Sequence, residues 1–300
     1  MRLDQLSYAN ENHPPLKRWI IKSIEGMTGR DRYLRLYQTW RTDVVPQGRQ
    51  VFSRMLELVD IRLDLRSEWP PRNLPDGPLV IVANHPFGIG DGIAVLSMAE
   101  ALGRPFRVLI NNELMKVSEI APFALPISFE ETREALEMNM RTRHEAVRLL
   151  KQGVTVVVFP AGGVATAPKG FGRAIDLPWK IFPARLVQAA RASVIPVHFS
   201  GQCGALFHLA SRLSLTLRTS LLVREFRRLS GSSITAVAGD VLPADELAGI
   251  SDRKLLLAHL HKAVFNLAPA QERPRRRIGR IYFKRTSTSE LRPATTVNSR

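Results

Sequence analysis

Cysteine is almost absent: Cys203 is the only one among 300 residues. An internal disulfide and a cysteine-based zinc cluster are thereby excluded, and a reducing compartment is compatible. Long apolar runs are missing as well. A membrane-spanning helix needs about 20 consecutive apolar residues, whereas the most apolar runs, Pro78 to Ala83 and Val154 to Phe159, have the length of strands. Met1 to Asn10 lacks the basic start and apolar core of a signal peptide. Acidic side chains are scarce, with 27 Asp and Glu against 43 Lys and Arg, for a net charge of +16. An excess of that size says little about fold and much about partners: nucleic acid, anionic lipid or an acidic carrier. There is no zinc-finger pattern and no RNP-type aromatic block, so nucleic acid is not the expected partner. The nucleophile elbow of an α/β-hydrolase, G-x-S-x-G, is missing too. No fixed-period repeat appears.

The remaining composition is globular. Apolar residues make up 45% and charged residues 23%, which rules out a wholly disordered or collagenous chain. Leu16 to Trp40 reads as helical. Its rings Trp19, Tyr33, Tyr37 and Trp40 are of the kind that settle in a lipid headgroup layer, or that pack a terminal helix on a core. Gln47 to Leu58 suggests another helix, and Ile61 to Leu65 alternates as a half-buried strand does. From Pro78 an α/β rhythm begins. Strands are expected at Leu79 to Ala83, Phe106 to Ile110, Val154 to Phe159, Val194 to Phe199 and Ile234 to Ala238. Helices are expected at Gly92 to Leu102, Glu131 to Leu150, Ala184 to Ala192, Ala205 to Leu229 (broken once) and Ala244 to Asn266. Apolar strands separated by helices indicate an α/β fold with a mainly parallel sheet covered on both faces. The expected division is an N-terminal helical segment over 1–60, a candidate for membrane contact, an α/β domain over 61–268 and a basic disordered tail over 269–300.

Two segments carry candidate chemistry. Asn84-His85-Pro86-Phe87-Gly88-Ile89-Gly90-Asp91-Gly92 leaves a buried strand and enters a helix, where open α/β sheets place their functional groups. A carboxylate on one imidazole nitrogen fixes the tautomer and leaves the other nitrogen to take a proton. Asp91 would do this for His85, and the glycines would let the loop fold back. The alternative is that Asp91 caps its helix while His85 satisfies a backbone carbonyl. No Ser, Cys or Thr lies in the loop, so the proton taken would belong to a substrate hydroxyl. Pro160-Ala161-Gly162-Gly163-Val164-Ala165-Thr166 follows the strand Val154 to Phe159. It reads equally as a structural turn or as an anion cradle. A P-loop is excluded, because Pro168 holds the second glycine position.

These motifs occur in the order found in the lysophospholipid (glycerolipid) acyltransferase family. The chain resembles its bacterial branch of lyso-ornithine-lipid acyltransferases and haemolysin-like proteins. The resemblance rests on Asn84 to Gly88, Phe159 to Gly163, Ile195-Pro196-Val197, Trp179-Lys180, Leu217-Arg218 and Leu222 to Phe226, and covers roughly 78–241. It implies an O-acyltransferase with His85 as general base and Asp91 as its orienter. Asn84, Gly88, Glu113, Lys116, Arg133, Pro160, Gly162 and Gly163 would line the substrate site, with no metal and no bound cofactor. The donor would be an acyl carrier protein or coenzyme A thioester. The acceptor would be a lysolipid hydroxyl, of lyso-ornithine lipid or 1-acylglycerol-3-phosphate. Such an enzyme would sit peripherally on the anionic inner face of the cell membrane, in the cytoplasm.

The chain departs from the family pattern in places. Five residues rather than four separate His85 from Asp91, and Ala161 and Val164 replace the Glu and Arg of the common F-P-E-G-T-R-S block. Phe129 stands where an acceptor-binding Arg is usual, with Arg133 as a substitute. These changes favour an unusual head group over lysophosphatidate. Arg104 and Arg107 bracket a strand and could reach an anionic acceptor or carrier. The competing functions are a non-enzymatic basic lipid- or nucleic-acid-binding protein and a lipid hydrolase on the same scaffold.

Overall fold

The computed structural model describes residues 30–213 and 215–270. Trp19 and the basic cluster after Gln271 lie outside the described residues. The architecture is a seven-stranded sheet between two helical layers. The strands are β1 (Ile61–Leu65), β2 (Leu79–Ala83), β3 (Phe106–Asn111), β4 (Ala124–Ile127), β5 (Thr155–Val158), β6 (Ser193–Ser200) and β7 (Ser232–Ala238), in the spatial order β1-β7-β6-β2-β5-β3-β4. β6 and β7 pair antiparallel, and the other ladders are parallel. The mainly parallel sheet expected from the sequence is what forms.

Alternation along the strands builds two cores. In β2, Leu79, Ile81 and Ala83 face one cluster while Val80 and Val82 face the other, as a period of two dictates. The first cluster is covered by α2 (Val51–Leu58), α3 (Ile89–Ala101) and α7 (Leu215–Leu229). The second is covered by α4 (Arg133–Lys151), α5 (Phe182–Ala190), α8 (Ala244–Ala248) and α9 (Arg253–Asn266). α6 (Ala205–Leu213) stands apart, packing Phe207 and Ala210 with Val164 and Leu221 in a third, smaller cluster.

The N-terminal helices decide between the two readings of the aromatic rings, headgroup layer and core. Trp40 follows α1 (Arg30–Thr39), is 1% exposed, and donates its indole N–H to the Val51 carbonyl at 2.7 Å. Tyr37 is buried as well, and its hydroxyl donates to Glu119, which also holds Arg41. Tyr33 packs its ring on Phe226. Trp40 and Tyr37 therefore belong to the core and are not lipid-facing, and residues 30–58 share the core of the strands that follow. Position 60 is no break in packing.

β4 has no counterpart among the expected strands. It is short, contains Pro126, and lies at the sheet edge beside β3, a place that tolerates proline. The start of α2 is capped from a distance. Gln50 adopts a left-handed conformation with no side-chain cap, and the Glu100 carboxylate accepts from the N–H groups of Val51, Phe52 and Ser53 at 2.6, 3.3 and 3.4 Å. An anion there satisfies orphan donors and opposes the helix dipole. Glu100→Ala is expected to cost about 1–2 kcal/mol of stability, in the range of a lost N-cap. Urea denaturation checks this: the midpoint should fall with the slope unchanged.

Candidate active site

β2 lies between β5 and β6, all three run parallel, and the loops leaving their carboxyl ends meet around His85. The chain turns from β2 into α3 within Pro86, Phe87 and Gly88, so Asp91 sits in the first helical turn and not at the cap. Gly88 is the N-cap with φ 78°, and a Cβ there would lie 2.9 Å from Leu222 Cδ2 and 3.0 Å from Val164 Cγ2. Only glycine meets both demands at low cost.

His85 Nδ1 lies 3.0 Å from Asp91 Oδ1, and among the described residues no third group engages either atom. Asp91 is 0% exposed, and its Oδ2 accepts the Phe87 N–H at 2.8 Å. The His85 side chain keeps 17% exposure while its Nδ1 is buried, so the open part is the rest of the ring. Phe159 stacks at 4.1 Å between centroids and fixes the ring plane. Burial alone would lower the imidazole pKa. The Asp91 carboxylate, by charge and hydrogen bond, and the Asp176 carboxylate together outweigh burial and the opposing Arg218, and the net direction is upward from 6.5.

The glycine turn packs directly on this loop. The Ala165 N–H donates to the His85 carbonyl at 2.7 Å, and the Lys180 N–H to the Pro160 carbonyl at 2.9 Å. Gly162 has φ 65°, and a Cβ there would meet the Phe129 ring at 3.0 Å. Phe129 thus covers the turn where the common family pattern carries an arginine. Arg218 supplies a cation from elsewhere. It reaches from α7 to donate to the Val164 carbonyl, and a Cβ on Gly163 would lie 3.5 Å from its Nη2.

The remaining candidate residues divide clearly. Asn84 is buried and spends both ends of its amide on Phe199, donating to the carbonyl at 2.9 Å and accepting the N–H at 2.7 Å, which ties β2 to β6. Glu113 and Lys116 pair with each other on an exposed turn after β3, and Arg133 pairs with Glu137 at 3.2 Å in the first turn of α4. None of these ion pairs joins the His85–Asp91 pair. Arg104 lies away from the site: it donates to the carbonyls of Pro75, Gly77 and Gly153 around the amino end of β3, so it is a structural clamp and not a substrate ligand. Arg107 donates to the carbonyl of its neighbour Phe106.

Asp176 joins the site without a motif of its own in the sequence. Its Oδ1 accepts the His85 N–H at 3.3 Å and its Oδ2 the Trp179 indole N–H at 3.0 Å, while burial pushes its carboxyl above the usual range. It shares with Asn84, Arg173, His198 and Gln202 a cleft of about 330 Å³ beside the loop. His198 in that cleft is held neutral, its pKa pushed down to about 4 by burial and by Arg173. Arg218 belongs to the family-like pair Leu217-Arg218, and the available signal for Asp176 was its proximity in sequence to Trp179-Lys180.

No activated nucleophile accompanies the base among the described residues. Cys203 is buried, its Sγ is 3.4 Å from the Pro86 carbonyl, and burial pushes its thiol up, away from thiolate formation. A carboxylate-oriented histidine, open on its far side and without a nucleophile beside it, suits deprotonation of a bound hydroxyl.

Comparisons with known proteins bear on the family. A family model described as "Acyltransferase" matches residues 61–226. The chain belongs to this acyltransferase family. Among curated proteins, the chain is 29% identical over 171 residues to a lyso-glycine lipid O-acyltransferase of Bacteroides thetaiotaomicron, covering 54% of this chain and 56% of that one. A lyso-glycine lipid O-acyltransferase of Phocaeicola vulgatus is 27% identical, with 54% and 55% covered. The chain therefore spans about half the length of the curated relatives it matches. A solved 1-acyl-sn-glycerophosphate acyltransferase, PlsC of Thermotoga maritima, gives a TM-score of 0.45 at 18% identity, covering 84% of this chain and 94% of that one.

The electrostatics make a checkable statement. By NMR, the His85 ring should titrate above 6.5, and in Asp91→Asn it should fall below, because burial, the largest single influence, is then opposed by Asp176 alone. The sign for stability follows. A raised folded-state pKa means the pair's contribution is full below the unfolded value of about 6.5 and is lost as pH rises through the folded value. Stability measured against pH should lose this increment in Asp91→Asn.

Proposed function

We propose that this acyltransferase moves a fatty acyl group from a thioester to the hydroxyl of a lysolipid whose head group is an amino acid. The observation that carries the reaction class is the His85–Asp91 pair at 3.0 Å with no usable nucleophile beside it. His85 Nε2 takes the hydroxyl proton as the lysolipid oxygen attacks the thioester carbonyl carbon. The tetrahedral adduct then expels the thiolate, which recovers the proton from the imidazolium. Asp91 holds the tautomer and stabilises the imidazolium. Arg218, whose field reaches His85, is the cation at hand for the negative charge that develops.

Two facts support the acceptor. Ala161 and Val164 stand where the common family block has Glu and Arg, and both are buried. The two curated relatives carry names that specify a lyso-glycine lipid. A lyso-ornithine or lyso-glycine lipid therefore ranks above lysophosphatidate. The donor is a thioester of acyl carrier protein or of coenzyme A, acidic or phosphorylated molecules suited to a chain of net charge +16. Such donors place the reaction on the cytoplasmic side of a membrane.

His85→Ala should lower acyl transfer by about 10²-fold or more with the fold intact, the usual weight of a general base. Asp91→Asn should lose less. Near wild-type turnover of His85→Ala would sink the mechanism. Side-by-side kinetics with an amino-acid lysolipid and lysophosphatidate test the acceptor, and a large preference for lysophosphatidate would reverse the ranking. Free fatty acid released at the same rate with or without acceptor would mark a hydrolase instead.

A further inference from the structure

α6 carries apolar residues on two faces. Its inner face packs on the catalytic turn. Phe207 is 0% exposed and clusters with Val164, and the His208 Nδ1 accepts the Ala167 N–H at 3.3 Å. The outer face is different. Leu206, Leu209 and Leu213 follow the i, i+3, i+7 spacing of one helical stripe, and they are 47%, 51% and 73% exposed. The loop after the glycine turn continues this surface. A Cβ on Gly170 would lie 3.7 Å from Leu209 Cδ1, the Lys169 carbonyl accepts from Arg212 at 3.0 Å, and Phe171 is 71% exposed. The charges around the stripe are of one sign: Lys169, Arg173 and Arg212 are exposed, and neither 165–175 nor 205–213 contains an Asp or Glu.

Isolated exposed leucines are ordinary. A leucine stripe joined to an exposed phenylalanine, edged by cations and packed on the glycine turn, has the composition of a lipid-facing surface. We propose that the outer face of α6, with the loop from Lys169 to Gly172, docks this acyltransferase on an anionic membrane, apolar side chains inserted and Lys169, Arg173 and Arg212 on the headgroups. The proposal deepens the lysolipid reading, on which it rests. It gives that substrate a route, because α6 touches bilayer on one side and the turn beside His85 on the other. It also shifts attachment away from Trp40, which is buried.

The test uses the full chain and vesicles of phosphatidylcholine with or without phosphatidylglycerol. In flotation assays, Leu209→Glu with Leu213→Glu should weaken binding to phosphatidylglycerol vesicles about tenfold or more, since burial of each leucine is lost and like charge is added. Turnover on detergent-dispersed acceptor should be unchanged, which also shows that the variant folds. A second measurement does not depend on that variant. Cys203 is buried, so a polarity-sensitive dye on Phe171→Cys labels that site, and its emission should shift to the blue on phosphatidylglycerol vesicles. Undiminished flotation of the leucine variant, or binding without a dye shift, overturns the proposal. So does a dimer that the leucine variant dissociates while vesicle binding persists, because the face would then be an interface between copies. His85→Ala should float as wild type does, so a failed enzymatic reading and a failed docking surface are told apart.

Discussion

Asp91 has no solvent contact, and removing a carboxylate from water costs several kcal/mol unless its oxygens are engaged. Here one oxygen receives the Phe87 N–H and the other faces His85 Nδ1. Both partners come from the short link between β2 and α3, so the buried charge closes that link on itself. The rest of the site hangs from this closure. The His85 carbonyl receives the glycine turn, and the His85 N–H goes to Asp176. Asn84, one residue earlier, fixes β2 to β6 through Phe199. Glycine is required where the packing is closest: a Cβ on Gly90 would stand 2.5 Å from Leu229 Cδ1. The loop is held because its polar groups are also ties between strands.

The same arrangement explains why the imidazole is poised upward although it is enclosed. Burial disfavours its charge, but Asp91 and Asp176 together outweigh burial and Arg218. A base with a raised pKa accepts a proton with more driving force and is neutral over a narrower range of pH. Cys203 and His198 show the opposite case close by. Burial dominates at each, and each is held in its neutral form. Of these three groups only the His85 imidazole is shifted toward its charged form, and the two carboxylates are the cause.

Much of this was legible in the sequence, for identifiable reasons. Leu79 to Ala83 and Val154 to Phe159 are continuous apolar segments of strand length, and buried parallel strands carry that signature. His85 and Asp91 were legible because a histidine just after such a strand, followed by glycines and a carboxylate, stands where open α/β sheets place their functional groups. What escaped was non-local. Glu100 caps a helix 49 residues away. Arg104 points its donors at carbonyls that only the folded chain brings together. Asp176 reaches His85 from 91 residues on. β4 escaped because Pro126 is a breaker by local rules and a tolerated edge residue in the sheet. The rings of Tyr37 and Trp40 fit a headgroup layer as well as a core, and only the packing of α1 and α2 decides between them.

A reaction on a lipid held in a bilayer poses a problem that charge does not solve. A net charge of +16 would favour an anionic surface, but such attraction fades within a Debye length of about 8 Å at physiological salt and does nothing to free an acyl chain from its neighbours. Partial extraction needs apolar protein surface in contact with the bilayer and continuous with the site. Among the described residues, no helix is long and apolar enough to cross a membrane. Docked as proposed, α6 would meet the requirement without crossing. Its inner residues Phe207 and Ala210 are inseparable from Val164 of the catalytic turn, so its outer leucines are fixed in orientation relative to His85. Moving the stripe would disturb the turn, and opening the turn would unseat the stripe. On that proposal a rigid helix shared by both surfaces would convert attachment into positioning, which is what a hydroxyl a short distance above a headgroup layer would demand of the base that must reach it.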